Sequence, residues 1–245
     1  MKKFFICLLI LSLSASAIFY IGWVQIKVKP DTIGIIVSKT NGIEDEPVVN
    51  GQFYWSKLFL LPTNAILKTF SVKPLNTEKT VSGQLPSGEL YTSIYNSSNN
   101  FNYSFTFTIS LTISPKAIVE LFSQNKISDN EDLEKYLQGT ADTIAQLATS
   151  YILEKSRENP KFLVESIRRD DLFRAIKVYN EFPQVDLQVF AVSQSKIPDF
   201  NLYSQLQNQF IQNQDKYFIN SQEKSADKKP LDNQNNENFE DDSLS

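Results

Sequence analysis

The chain has 245 residues, a net charge of −4, one cysteine and no histidine. Without histidine, the Ser-His-Asp and Cys-His arrangements of hydrolases and the usual Cys/His zinc sites are excluded, and Cys7 alone cannot form an internal disulfide framework. Seven acidic residues and three lysines after Asn220 account for the whole net charge. The remainder is neutral and shows no basic face of the strength that nucleic-acid binding needs.

The N-terminal segment from Phe4 to Val24 contains no charged residue and follows Lys2 and Lys3. At ~1.5 Å per residue, a helix of this length spans the ~30 Å hydrocarbon core of a bilayer. We therefore predict a transmembrane anchor over residues 1–24, and the positive-inside rule places the following body outside the cytoplasm. The expected membrane-contacting residues are Phe4, Leu8, Leu11, Ile18, Tyr20 and Trp23.

The same segment also fits a cleaved signal peptide. Lys2 and Lys3 would then form its basic region, and Ala15-Ser16-Ala17 would form its cleavage site. The apolar run continues through Ile18 to Val24, where a mature secreted protein usually becomes polar. This continuation favours the uncleaved anchor.

Several β-strands are predicted after the anchor, at residues 24–28, 32–38 and 65–72. The clearest strand signal covers residues 101–113, where apolar residues from Phe101 to Ile113 alternate with polar ones. Such alternation is typical of an antiparallel strand with one face on a core and the other in water. Pro86-Ser87-Gly88 predicts a turn, and residues 96–100 predict a polar loop.

Helices dominate the prediction for the second half of the chain. Ser114-Pro115 predicts a helix start, and Ser128 to Glu131 predicts a capping box that opens a long amphipathic helix ending at Asn159-Pro160. Further helices are predicted at residues 161–168 and 171–181. A strand follows over residues 185–193, and the residues expected on its inner face are Val185, Leu187, Val189 and Ala191.

A last helix is predicted over residues 201–220, and its large residues recur at alternating three- and four-residue steps. These residues, the candidates for self-association, are Tyr203, Leu206, Phe210 and Tyr217. The same stripe fits equally well with packing of the helix on its own domain. Residues 221–245 are rich in Asn, Asp, Glu and Lys and are expected to form a disordered acidic tail.

Signals for catalysis are weak. The chain has no phosphate-binding glycine loop and no nucleophile elbow, and Asp170-Asp171 fits a solvated helix start better than a carboxylate site. Phe53-Tyr54-Trp55 could line a ligand pocket, but packing of a strand on a core explains it more simply. We expect no catalytic, cofactor-binding or metal-binding residues. A hydrolase with a Ser–Lys pair stays as a third hypothesis, because both residue types occur throughout the chain.

The order of these elements points to a family. A segment from Val28 to Val37 is followed by Asn50 to Trp55 and by Leu60-Leu61-Pro62, and a long strand later runs into Ser114 to Leu121. With the final strand and Ile197-Pro198, this order resembles the SPFH (stomatin/prohibitin/flotillin, band 7) domain.

The resemblance covers about residues 24–212 and has three departures. Asn50-Gly51 replaces the usual Pro-Gly, residues 73–100 are longer and more polar than in the family, and the coiled coil is reduced to about residues 203–220.

The resemblance implies an α+β chain made of the transmembrane helix, an SPFH/band 7-like α/β domain over residues 25–200, a short C-terminal helix and the tail. It further implies a non-enzymatic scaffold that lies against the membrane. Together with the anchor, the flanking charges and the lack of cofactor motifs, this predicts a protein without a cofactor in the cell (inner) membrane with a periplasmic body. Such a protein contacts lipid, forms a homo- or hetero-oligomer, and organises or regulates membrane proteins, a membrane-bound protease among them. The alternative function is an exported β-rich protein that binds a ligand or a protein after cleavage behind Ala17.

Overall fold

A computed structural model describes residues 2–23, 25–61, 63–96, 100–159, 162–164, 167, 169–176 and 182–226. The fold is α+β. The helices are α1 (Lys2–Trp23), α2 (Gly88–Ile94), α3 (Pro115–Ser123), α4 (Asn130–Glu158), α5 (Arg169–Ile176) and α6 (Phe200–Ala226), with a 3-10 helix at Lys57–Leu60. The strands are β1 (Gln25–Ile26), β2 (Thr32–Ser38), β3 (Gly42–Ile43), β4 (Val48–Val49), β5 (Tyr54–Trp55), β6 (Ala65–Ser71), β7 (Leu75–Gln84), β8 (Asn102–Ile113) and β9 (Val185–Lys196).

The chain divides into two units. The first contains Met1–Gly83 and Asn102–Ile197, and the second contains Gln84–Phe101 and Pro198–Ser245. The C-terminal helix therefore belongs with residues 84–101, which we had assigned to the preceding domain from the sequence.

Strand β2 organises one sheet of the first unit. It pairs antiparallel with β6 along its whole length, and with β3 and β4 on its other side. Ile33 and Ile35 are buried in the main core, and a Cβ at Gly34 would lie 2.6 Å from the Leu67 side chain. Glycine thus leaves room for the Leu67 side chain of β6, which a larger residue would displace. The prediction of strands at residues 32–38 and 65–72 is confirmed, apart from the last residue.

Strand β8 is the middle strand of a second sheet, in the order β7-β8-β9. Its apolar side chains from Phe105 to Leu111 are fully buried, while Thr106 and Thr108 on the opposite face are partly exposed. The rings of Phe105 and Phe107 stack with centroids 6.2 Å apart, and Phe190 of β9 continues the stack at 5.4 Å. The predicted alternation is confirmed.

The predicted inner face of β9 is wrong beyond Leu187. The pairing of β9 with β8 shifts register between Ser110 and Leu111 and again between Thr106 and Phe107. Each extra residue on β9 turns the following side chains to the opposite face. Phe190 is consequently buried, whereas Val189 and Ala191, which we had placed inside, are exposed.

The segment that we predicted as a turn and polar stretch contains two regular elements, β7 and α2. Strand β7 was missed because some of its inward positions are polar. Lys79 is one of them, and its amino group forms a 2.8 Å ion pair with Asp142 on α4. A strand whose inward side chains are not all apolar lacks the period-2 hydrophobic signal.

Helix α4 begins one residue later than the predicted capping box. Its N-cap is Asp129, whose carboxylate accepts a hydrogen bond of 3.0 Å from the Asp132 backbone N–H. The hydroxyl and the backbone N–H of Ser128 both donate hydrogen bonds to the Asp132 carboxylate. These bonds lower the pKa of Asp132, and the hydroxyl has the larger effect. This part of the cap is therefore present at neutral pH and is lost as the pH falls through the lowered pKa.

Two other predicted helices fall partly outside the described residues. Of residues 161–168, the structure describes four, with one 3-10 residue at Val164. Helix α5 starts at Arg169, two residues before the predicted start, and its Leu172 is fully buried. Residues 177–181 of the predicted helix lie outside the described residues.

Asn130, the first residue of α4, occupies the outer edge of β6. Its side-chain amide donates to the Thr69 carbonyl at 3.0 Å and accepts from the Ser71 N–H at 2.7 Å. The side chain thus replaces one residue of a neighbouring strand and blocks part of an otherwise open sheet edge.

We predict that Asn130→Ala lowers the free energy of unfolding by about 0.5–1.5 kcal/mol, because two hydrogen bonds are replaced by bonds to water. Urea unfolding of the full-length protein in detergent, followed by circular dichroism, measures the change. Gln146→Ala, an exposed change on the same helix, is the control and should have a smaller effect. Equal effects of the two variants would contradict the proposed role of Asn130.

Candidate functional site

Helix α1 is apolar on all sides. Its segment Lys2–Gly22 has a mean hydropathy of 2.4, none of it is buried inside the protein, and by length and composition it can cross a membrane. A signal sequence would have the same properties. The predicted contact residues are exposed, from 43% for Tyr20 to 73% for Ile18. The intermediate values belong to Phe4, Leu8 and Leu11, and the side chain of Trp23 lies outside the described residues.

The C-terminal third of α1 contacts the body. The rings of Tyr20 and Trp55 lie 5.8 Å apart. Leu60, at the end of the 3-10 helix, shares an open groove of about 530 Å³ with Ala15, Ser16, Phe19 and Tyr20. The body therefore lies alongside the last two turns of α1.

The chain enters the body immediately after α1. Gln25 and Ile26 form β1, which pairs antiparallel with Trp55 and Tyr54 of β5. Ser56 then caps the 3-10 helix, because its hydroxyl accepts from the Leu58 N–H at 3.3 Å. Leu58 joins a small core with β-strand residues, namely Ile26, Ile36, Val48 and Ala65. Strand pairing therefore begins at Gln25, two residues after the last residue of α1.

The aromatic cluster Phe53-Tyr54-Trp55 does not pack as a whole. Tyr54 is partly buried against the small core, whereas Phe53 and Trp55 are exposed. The pKa of Tyr54 is raised above its usual value, mainly because the ring hydroxyl is partly buried. The negative charges of Glu44 and Glu46 raise it further. The interpretation of the cluster as a core strand is therefore wrong for two of its three residues.

The predicted self-association stripe forms the core of the second unit. Tyr203 is buried with its ring 5.6 Å from Tyr91 and 5.4 Å from Phe101, and its hydroxyl donates to the Pro86 carbonyl at 2.7 Å. Leu206 is also buried there. These contacts favour the second interpretation of the stripe, in which α6 packs on its own chain.

The remaining residues of the stripe lie further along α6. The ring of Phe210 is 5.6 Å from Tyr91, and the side chain of Tyr217 lies outside the described residues. The helix itself continues to Ala226, beyond the predicted end at residue 220. Residues 227–245 of the predicted tail are not described.

In the described part of the chain, no group of three or more His, Cys, Asp or Glu residues is placed to hold a metal ion. Asp171, which the sequence offered as half of a weak carboxylate pair, bonds to Arg174 one turn later at 3.3 Å. Such an exposed pair within one helix is typical of a solvated surface.

Leu60 and Leu61 are the site residues that the sequence analysis missed. They end a run of four apolar residues, 58–61, directly after Ser56-Lys57. A single 3-10 turn cannot bury four consecutive side chains on one face, because successive residues point in different directions. The run of four apolar residues therefore indicates that some of their side chains are exposed.

Comparison with known proteins identifies a relative but no function. No protein-family model matches the chain. The chain is similar to an uncharacterized protein of Treponema pallidum (strain Nichols), with 24% identity over 202 residues, which cover 80% of this chain and 67% of the relative.

We predict that Tyr203→Phe lowers the free energy of unfolding by about 1 kcal/mol, because the Pro86 carbonyl loses its buried donor. The loss should not depend on protein concentration, since the contact lies within one chain. Thermal unfolding at several concentrations measures it, with Tyr151→Phe on α4 as the control. A destabilisation that appears only at high concentration would instead place Tyr203 between two copies.

Proposed function

We propose that the protein is a non-enzymatic scaffold anchored in the cell (inner) membrane by α1, with its body on the extracytoplasmic side. The observation that carries this proposal is the direct attachment of the body to the helix. Tyr20 packs on Trp55, and strand pairing begins at Gln25, the second residue after Trp23. A body held in this way stays at the membrane surface, where its partners would be membrane proteins.

The balance of positive charge favours this orientation. Lys2, Lys3 and the amino terminus precede the apolar segment, whereas Lys27 and Lys29 follow it, and the side with more positive groups is retained in the cytoplasm. The body then faces the periplasm or an equivalent space. The absence of histidine leaves few routes to acid–base catalysis at neutral pH, which agrees with a function based on binding.

The resemblance to SPFH/band 7 domains supports the scaffold proposal through the order of elements, and it extends the proposal to self-association. Tyr203 and Leu206 are buried, so a second copy must use other residues. Among the side chains of the second unit that the structure describes, Leu90 and Ile94 on α2 and Ile211 on α6 are large, apolar and exposed. Leu90 and Ile94 are four residues apart and share one helix face.

We predict that lysine-reactive crosslinking in native membranes traps multimers of the chain or adducts with a membrane protein. Changing both Leu90 and Ile94 to Asp should reduce the multimers several-fold, because charge on the shared face opposes its burial. Val189→Asp, at an exposed apolar residue of β9, is the matched control and should leave them unchanged.

A chain that stays monomeric and without adducts under these conditions would contradict the scaffold proposal. Mass spectrometry of what co-purifies from detergent-solubilised membranes identifies the partner. A membrane-bound protease is the class that the resemblance suggests.

A second candidate function rests on Ala15-Ser16-Ala17, a tripeptide of small residues of the kind that signal peptidase cleaves. Cleavage there would release an exported β-rich binding protein. Mass spectrometry of the mature N-terminus separates the two proposals. A chain that begins at Ile18 supports the exported protein, and an intact N-terminus supports the anchor.

A further inference from the structure

Residues 53–61, which adjoin α1 through Trp55 and Leu60, expose four apolar side chains that we call the apolar ledge: Phe53, Trp55, Leu60 and Leu61. Phe53 and Leu61 are the most exposed, at 66% and 67%, and Trp55 and Leu60 are each 38% exposed. Apolar surface in water costs about 25 cal/mol per Å², so a group of this kind marks an interaction site.

The ledge is continuous with the membrane helix. Trp55 packs on Tyr20, and Leu60 borders the groove that Tyr20 also lines. Phe53 is two residues from Trp55 in extended chain, which places both on one side. The medium that surrounds the exposed residues of α1 therefore also contacts the apolar ledge.

The groove that Leu60 borders indicates its level along α1. The groove that it borders is lined by Ala15 and Phe19, and α1 ends at Trp23. At ~1.5 Å per residue, Ala15 and Phe19 lie about 12 and 6 Å before the end of the helix. Leu60 is thus level with the apolar interior of the anchor rather than with its end.

The length of α1 fixes its position in the bilayer. The helix cannot move far enough along the membrane normal to bring Leu60 into water. Its 22 residues extend over about 33 Å, against a hydrocarbon core of ~30 Å. A shift of more than a few ångströms toward the body's side would pull Lys2 and Lys3 into hydrocarbon, which is costly for charged groups. The ledge must then enter the membrane with the helix.

The sequence around the ledge suits such a position. Lys57 is exposed at the start of the 3-10 helix, one turn before Leu60, and its long side chain can reach the phosphate groups while Leu60 lies deeper. Trp55 and Tyr20 have the amphipathic rings that favour the interfacial layer. Leu58, between Lys57 and Leu60, is buried in the body and anchors the turn.

We propose that the apolar ledge inserts into the bilayer leaflet on the body's side, with Leu60 and Leu61 among the acyl chains and Phe53 and Trp55 in the interfacial layer. The partner is lipid, because lipid already surrounds α1 at this depth. The inference rests on the proposed membrane anchor and adds a second, one-leaflet contact to it. The protein then contacts the membrane both through a span and through a wedge beside the span.

The test uses the full-length protein with Cys7→Ser, reconstituted into liposomes of phosphatidylethanolamine and phosphatidylglycerol. Single cysteines from Leu61→Cys, Phe53→Cys and Val189→Cys are labelled with an environment-sensitive fluorophore, and nitroxide-bearing lipids serve as quenchers. We expect blue-shifted emission and several-fold quenching for the labels at 61 and 53, but neither for the label at 189. Leu11→Cys in α1 reports independently on the anchor.

The outcomes separate the two proposals. Quenching at residue 11 but not at 61 would overturn the ledge and leave the anchor intact. Loss of quenching at residue 11, together with failure of the protein to float with the liposomes, would overturn the anchor itself. A blue shift at 61 without nitroxide quenching would show that protein, such as a second copy, covers the ledge, and would overturn the assignment to lipid.

Discussion

Burial of one face of β8 is the constraint on which the body of this protein depends. Phe105, Phe107, Ile109 and Leu111 are fully buried, and each such side chain stabilises the fold by about 1.5–3 kcal/mol relative to an exposed one. The same core takes in β2, β6 and the inner residues of α3 and α4. These elements need β8 as the surface on which their own apolar residues pack.

The end of the first unit that adjoins α1 is stabilised separately. A smaller core around Ile36 and Leu58 lies under β1 and the 3-10 helix, and it holds the point where α1 joins the body. Two different solvents thus act on the unit. Water accounts for the alternation of β8, whereas a bilayer would account, under our proposal, for the uniformly apolar surface of α1 and for the exposed apolar ledge.

The sequence predicts the elements in which one face is buried with a regular period, such as β2, β8 and α4. It does not predict β7, where Lys79 replaces an apolar side chain and finds its partner on a distant helix. The bulges of β9 leave no local signal, so the burial of Phe190 could not be foreseen. For Leu61 and Tyr203, hydrophobicity indicates burial but does not say whether protein, lipid or a second copy provides it.

The direct connection between α1 and β1 has a mechanical consequence. Transmembrane helices respond to a thinner bilayer by tilting, and a flexible linker would absorb such a rotation before it reached the body. Here the pairing of Gln25 with Trp55 begins two residues after the end of α1. The ring of Tyr20 on α1 also packs against Trp55. With α1 as the proposed membrane anchor, a change in bilayer thickness would be transmitted to the attached sheet as a rotation, and the protein would respond to the local thickness of its membrane.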